Sequence, residues 1–315
     1  MARSHLTLAA LATSAVAGLD LTSTSSFGTG GENDFDSALL TGRDGRHWII
    51  RVPRNERAEA EQSADIVALR ALSAGVRSRL PFAVTAFVGQ TPVSGTRAVV
   101  YEFVYGEKAR LSDLVPGNEV LAESIAKSIA AIHSLPTSFV ADAGLPVLTP
   151  IESLRSAVSV MDRAAATGLV PTRLLGRWEK ATEDTTLWQY QPAVVNNALG
   201  AHSFLTQDGT VTGLLGWHEL RVGDPAQDLA WLLNADRDIA ELAFDTYTAT
   251  RGTIDRQVTH RATLYSELEA AKWLLHGTQQ RNTEIVDDAV AMLAAITDEA
   301  DVNVTGPLNL GSLAG

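Results

Sequence analysis

The side chains able to do chemistry crowd into one stretch of this chain, where His202, Asp208, His218, Glu219, Asp224 and Asp228 follow one another within 27 residues, counting both ends (228 − 202 + 1). There is no cysteine, which removes thiolate nucleophiles, thiolate metal sites and disulfides together. A zinc ion on His202, His218 and Glu219 has no supporting ligand spacing, and lone histidines are usually satisfied side chains. Asp208 precedes Gly209 between two apolar runs, where Asp-Gly is a turn signal in its own right. Asp224-Pro225 has the form of an N-cap and first residue of a helix, with Asp228 one turn on, so both acids read as architectural. Asn196 and Asn197 cannot serve as bases but can hydrogen-bond a ligand or the loop backbone. Gly28-Thr29-Gly30-Gly31 has the composition of a phosphate-covering loop, although a connector of this kind is as often a plain turn.

Two kinds of element must position these residues. In the first hundred residues, Phe35 to Leu40, His47 to Val52, Ala83 to Val88 and Ala98 to Val104 are short apolar or alternating runs punctuated by Gly, Asp and Pro, which predict a small antiparallel sheet. Between them, Arg57 to Ala74 carries Ile66, Leu69 and Leu72 at helical spacing, with Glu59 and Glu61 early, where they suit the helix dipole. After Gly106 the texture becomes long amphipathic stretches: Val120 to Ser134, Thr149 to Thr167, Pro171 to Asp184, Asp224 to Asn234, and two or three helices between Arg237 and Glu299. Ala193 to Leu205 and Val211 to Gly216 interrupt them and, joined by Gln207-Asp208-Gly209, predict a β-hairpin. The expected class is α+β: a small sheet-and-helix N-lobe over residues 1–104, a larger mostly helical C-lobe over 105–299 with a central hairpin, and a disordered tail over 300–315.

The chain is long enough, at 315 residues with 45% hydrophobic side chains, to bury a sizeable core. Its formal net charge of −12 and the lack of any Lys or Arg cluster argue against nucleic-acid and anionic-membrane partners. The segment Leu6 to Gly18 superficially resembles a signal peptide, but Thr and Ser dilute it. Leu6, Leu8, Leu11 and Val16 are placed to cover one face of a helix, so an N-terminal helix of a cytoplasmic protein is expected. No run of 18 apolar residues is present to span a bilayer.

Three blocks resemble a known family. Asn33-Asp34-Phe35-Asp36 through Trp48-Ile49-Ile50-Arg51-Val52-Pro53-Arg54, together with Arg79-Leu80-Pro81-Phe82-Ala83-Val84, is similar to the first strands of macrolide phosphotransferases. Ser128-Ile129-Ala130-Ala131-Ile132-His133-Ser134-Leu135-Pro136 is similar to the helix before the catalytic loop of the aminoglycoside phosphotransferase superfamily. Val194 to Leu233 resembles the family's catalytic and metal segment. The resemblance implies a bilobal protein-kinase-like fold and a hinge near Glu102 to Gly106.

What the resemblance implies about chemistry is a loss. Where the family has His-Gly-Asp-Leu, this chain has Asn196-Asn197-Ala198-Leu199, so the base position is Ala198. The family's Asn five residues on, a metal ligand, falls on Ser203. Eighteen residues after the base, where the family's Ile-Asp-Trp holds Mg²⁺, stands Leu215-Gly216-Trp217. Flanking residues keep the register, so no slip recovers an aspartate. Arg51 stands at the strand-3 lysine position and is a candidate phosphate contact, with Gly30 and Glu102 as further candidate nucleotide contacts; Glu61 or Asp65 is placed to pair with Arg51. Asp224 and Asp228 remain as braces.

The expectation is therefore a phosphotransferase-like pseudokinase with a ligand-binding or regulatory role, holding a small molecule in the inter-lobe cleft. ATP or GTP binding is left open, and Mg²⁺ lacks its ligands. The alternative is an active ATP- or GTP-dependent macrolide- or aminoglycoside-type phosphotransferase using relocated acids, Glu219 or Asp224. A third possibility is a binder of macrolides or hydrophobic amines between Phe103 to Gly106 and helices carrying Met161 and Trp178, although those two side chains also have a plain core explanation.

Overall fold

A computed structural model describes residues 3–28, 34–252 and 255–305. The chain divides into two compact units, Met1–Val147 with Ala193–Val222 and Asn234–Thr253, and Leu148–Pro192 with Gly223–Leu233 and Ile254–Gly315. The class is α+β, as the sequence predicts.

The first unit is built on a five-stranded antiparallel sheet of order β1-β2-β3-β6-β5, with β1 Leu21–Ser26, β2 Phe35–Gly42, β3 His47–Pro53, β5 Phe87–Val93 and β6 Thr96–Glu102. Alternation makes it: Ala38, Leu40, Trp48, Ile50, Val52, Ala98 and Val100 point to one face and are buried there. Helix α1, His5–Ala15, covers that face through Leu8 and Ala12, with Leu11 and Val16 partly buried. Leu6, expected on the apolar face, is instead 65% exposed. Strand β1 escapes the sequence reading because its Leu-Thr-Ser-Thr-Ser-Ser is polar, as an edge strand can be. The five residues 29–33, which hold most of the Gly-rich stretch and the candidate Gly30, lie outside those described.

Helix α2, Glu56–Ala71, is capped by Asn55, whose side chain accepts from Ala58 N–H, and buries Ile66 and Leu69. A four-residue helix, α3 Ala74–Arg77, follows. The predicted strand Ala83 to Val88 is two pieces. Arg77 donates to the carbonyls of Val84 at 3.1 Å and Thr85 at 3.0 Å, and the Thr85 hydroxyl donates to Glu102 O at 2.6 Å. These bonds break the run, so β4, Ala83–Val84, pairs in parallel with Gly213 and Leu214 in another sheet while the chain moves on to β5.

That second sheet, of order β4-β10-β9-β7, holds the hairpin, with β7 Glu107–Lys108, β9 Phe204–Gln207 and β10 Thr210–Leu214. Asp208 and Gly209 join its strands at φ of +51° and +73°, the pair of positive values a type I′ turn needs. Helix α4, Glu119–His133, buries Leu121, Ile125, Ile129 and Ile132 and supports the hairpin by accepting from Val211 N–H on Ser124 Oγ at 2.9 Å. It also packs on α9, Arg237–Arg251, where His133 Nδ1 lies 2.9 Å from the Tyr247 hydroxyl. A short helix, α5 Ser138–Asp142, follows α4, and β8, Ala193–Val195, pairs with β11, Arg221–Gly223.

The second unit is helical: α6 Pro150–Ala165, α7 Thr172–Glu183, α8 Ala226–Leu229, α10 Val258–Gln280 and α11 Thr283–Thr305. Thr149 and Glu152 form a reciprocal capping box at α6. Met161 is 9% exposed, and Trp178 is wholly buried, its indole N–H donating to Glu267 Oε2 at 2.7 Å, so both belong to the core. The expected helix Asp224 to Asn234 is only α8 followed by a 3₁₀ turn, Ala230–Asn234. Helix α11 continues to Thr305, past the expected start of the tail at 300; residues 306–315 lie outside those described. Among the described residues no helix is long and apolar enough to cross a membrane.

One buried charge in the first unit makes a pH prediction. Asp36 is 4% exposed and meets Arg54 Nε at 2.7 Å and both the N–H and the guanidinium of Arg3. Burial alone would raise its carboxyl, but the bonds from Arg54 and Arg3 overcome this and hold it below the usual value. A depressed carboxylate stabilises the fold above its unfolded pKa, about 3.9, and that contribution vanishes as pH falls through the folded value. Urea denaturation of Asp36→Asn should therefore show a stability deficit at pH 7 that closes progressively below about pH 4.

Candidate functional site

The site is assembled from one loop, one turn and one helix of the first unit. After β8 the chain runs through Asn196 to Gly200 and a 3₁₀ turn, Ala201–Ser203, into β9. Asn196 is fully buried and makes two bonds that shape the site: its Oδ1 accepts from Ala198 N–H at 3.2 Å and its Nδ2 donates to Gly216 O at 2.8 Å. Asn197 takes φ of +65°, a left-handed conformation that asparagine tolerates better than most residues. Ser203 Oγ accepts from Gly200 N–H at 3.3 Å, and Ser203 O accepts from Leu215 N–H at 2.9 Å. The structure thus ties the loop of Ala198 and Ser203 to the turn of Gly216.

Gly216 sits at φ of +75°, and a Cβ added there would meet no atom within 4 Å. The position is open, and its backbone already has the left-handed form. The next peptide N–H, that of Trp217, donates to Asp65 Oδ1 on α2 at 2.8 Å, while the Trp217 ring is fully buried. Burial pushes the Asp65 carboxyl above the usual range; the Trp217 bond and the charges of Arg51 and His218 oppose it, and Glu61 adds to it.

Other residues singled out in the sequence are committed elsewhere. Arg51 places its guanidinium 4.0 Å from the centre of the Phe35 ring and forms no ion pair among the described residues. Glu61 lies 3.9 Å from His218 Nδ1. Glu102 pairs with Arg46 at 2.9 Å, while its own N–H and carbonyl are taken by Ala86 O and the Thr85 hydroxyl. Glu219 pairs with Arg221. His202 is pushed below its ordinary pKa by burial and by Lys108. Within the second unit, Asp224 is fully buried, caps Ala226 N–H at 3.0 Å, and binds Arg261 Nε at 2.7 Å; Asp228 is also fully buried.

A divalent metal does not fit this arrangement. Gly216 offers no donor, Ala198 offers a methyl group and Ser203 Oγ is engaged by Gly200. Among the described residues no group of three His, Asp or Glu side chains is placed to hold an ion. A cavity of about 280 Å³ opens where the chain leaves β6, lined by Ala83, Val84, residues 102–105, Gln207 and Thr212. A larger one, about 510 Å³, lies between the end of α1 and the β2-β3 turn, and its lining shares no residue with the 196–217 segment, so size does not mark the chemistry here.

Asn196 is the residue whose weight the sequence understated. Its replacement by alanine leaves the Gly216 carbonyl and the Ala198 amide short of a partner. Asn196→Ala should lose about 1 to 3 kcal/mol in chemical denaturation, as buried groups left unpaired do.

Comparison with known proteins shows the family that shares this fold. Residues 28–265, well over half of the chain, match the phosphotransferase enzyme family, and the chain belongs to that family. Among solved structures it is similar to a macrolide 2′-phosphotransferase type I, at 28% identity and a TM-score of 0.72 over 91% of this chain and 96% of that one. The apoenzyme of macrolide 2′-phosphotransferase MphH from Brachybacterium faecium, at 22% identity and a TM-score of 0.72, shares the fold over 91% of this chain and 97% of that one. So does the GDP complex of wild-type aminoglycoside 2′-phosphotransferase-IIIa, at 18% identity and a TM-score of 0.74, over 95% of this chain and all of that one. An uncharacterized protein of Bacillus subtilis strain 168, YcbJ, is 27% identical over 201 residues, which span 62% of this chain and 65% of that protein.

Proposed function

We propose that this chain is a pseudokinase of the phosphotransferase family: it binds a small molecule or nucleotide and does not transfer phosphate at an enzyme's rate. The observation that carries this reading is the pair Ala198 and Gly216, held together by Asn196, with a methyl group and a hydrogen atom where the family resemblance places two carboxylates. Phosphoryl transfer asks a protein chiefly for charge and position. A missing general base costs about 10² to 10⁴ in rate, and a missing metal ligand adds to that. The alternative, an enzyme with relocated acids, finds little support. Glu219 is paired with Arg221, Asp224 is enclosed with Arg261, and Asp208 serves the hairpin turn.

Similarity to a macrolide 2′-phosphotransferase at 28% identity makes macrolides the first ligands to try, with aminoglycosides second. Thermal-shift titrations with ATP, GTP and these drugs, with and without Mg²⁺, should show ligand binding that does not depend on the metal. Phosphotransfer on the same compounds should stay near background. Turnover of about 1 per second or more, the range of working kinases, would end the proposal.

A further inference from the structure

The peptide group between Gly216 and Trp217 is gripped at both ends by side chains. Its carbonyl accepts from Asn196 Nδ2 at 2.8 Å and its N–H donates to Asp65 Oδ1 at 2.8 Å. The two grips come from distant parts of the chain, since Asp65 is 152 residues from Trp217 and Asn196 is 20 residues from Gly216. Such a grip matters at a glycine. Gly216 has no side chain to fix its own conformation, and the space on its Cβ side holds no atom within 4 Å.

We propose that Asp65 is the positioning residue of this turn: by accepting from the Trp217 N–H it completes a clamp with Asn196 that keeps Gly216 left-handed and its missing side chain's place open. The assignment rests on the reading that position 216 is where the family's chemistry has been removed. It also explains the use made of the acid. Arg51, the cation expected to pair with an acid of α2, lies over the Phe35 ring instead, and Asp65 serves a backbone amide. Around it stand Arg51 from β3, His218 beyond the turn, Glu61 on its own helix and Tyr101 from β6, with Gln62 alongside, donating to Arg51 O. A carboxyl oxygen accepts from an amide in either protonation state.

The sequence supplies a direct probe, because Gly216-Trp217 is its only Gly-Trp pair. The full chain labelled with ¹³C′-glycine and ¹⁵N-tryptophan gives a single carbonyl-coupled amide, that of Trp217. In the native protein it should exchange slowly and resonate downfield. In Asp65→Ala its protection should fall roughly tenfold to a hundredfold, as for a buried amide left without its partner, while the other five tryptophan amides keep theirs. Asp65→Asn, which retains an acceptor oxygen, should restore most of the protection. A uniform fall across all tryptophan amides would mean that Asp65 only supports the fold and would overturn the proposal. A native Trp217 amide that exchanges like an open one would overturn it without any variant, should Asp65→Ala fail to fold. Nucleotide and turnover play no part in this readout, so a finding of phosphotransfer would remove the pseudokinase reading and leave the clamp standing.

Discussion

Replacing Ala198 and Gly216 together by aspartate is expected to raise Mg²⁺-dependent nucleotide turnover at least about 100-fold over the native chain, the lower end of what a positioned general base supplies. The backbone is prepared at both positions. The Ala198 amide is fixed by Asn196, and Gly216 has φ of +75° with free space around a Cβ. Aspartate is among the few side chains that visit the left-handed region readily, so Gly216→Asp should cost at most about 1 to 2 kcal/mol. The two changes should act as a unit. Ala198→Asp alone orients an acceptor with no metal to neutralise phosphate charge, and Gly216→Asp alone restores a metal ligand with no base, so each single variant should gain far less than the pair. The variant should also melt higher with Mg²⁺ than without it, since a ligand that binds only the folded state stabilises it. A folded double variant that stays silent and ignores Mg²⁺ would show that more than two carboxylates have been lost, and Arg51, stacked on Phe35, would be the next suspect.

The features legible in the sequence are those written in neighbouring residues. The hairpin follows from Asp208-Gly209 between apolar runs, because turn chemistry acts over a few neighbouring residues. Strand β1 was not legible, since polar Leu21–Ser26 earns its place by pairing with β2 and not by burying a face. Nor was the break in the Ala83 to Val88 run, which is made by Arg77 and by the Thr85 hydroxyl on Glu102 O. The same distinction governs the site. The absent carboxylates at 198 and 216 are visible as letters. The clamp is not, because Asn196 and Asp65 were each open to several partners and only the fold selects Gly216 O and Trp217 N–H.

Within the second unit, Arg261→Met should be the most destabilising single change, losing about 3 to 5 kcal/mol in urea or thermal denaturation. Arg261 and Asp224 both have fully buried side chains. The guanidinium donates to Asp224 Oδ2 at 2.7 Å, to Leu187 O at 3.0 Å and to Asp255 at 2.6 and 3.2 Å, and it lies 4.4 Å from the centre of the Tyr190 ring. Removing it strands Asp224, which keeps only the Tyr265 hydroxyl at 3.1 Å and the Ala226 amide at 3.0 Å. Burial already pushes the Asp224 carboxyl up, and Arg261 is the main force opposing it, so the variant's carboxyl rises further. An acid whose folded pKa exceeds its unfolded one takes up a proton on folding, and the fold then loses stability as pH climbs above the unfolded value of about 3.9. The deficit of Arg261→Met should accordingly be larger at pH 8 than at pH 5. Adding Asp224→Asn should recover part of it and flatten the pH dependence, because a neutral amide is far cheaper to bury than an unpaired carboxylate. A loss below about 1 kcal/mol, the scale of a solvent-exposed pair, would mean that water reaches Asp224 and that this network does not anchor the loop from which α8 begins.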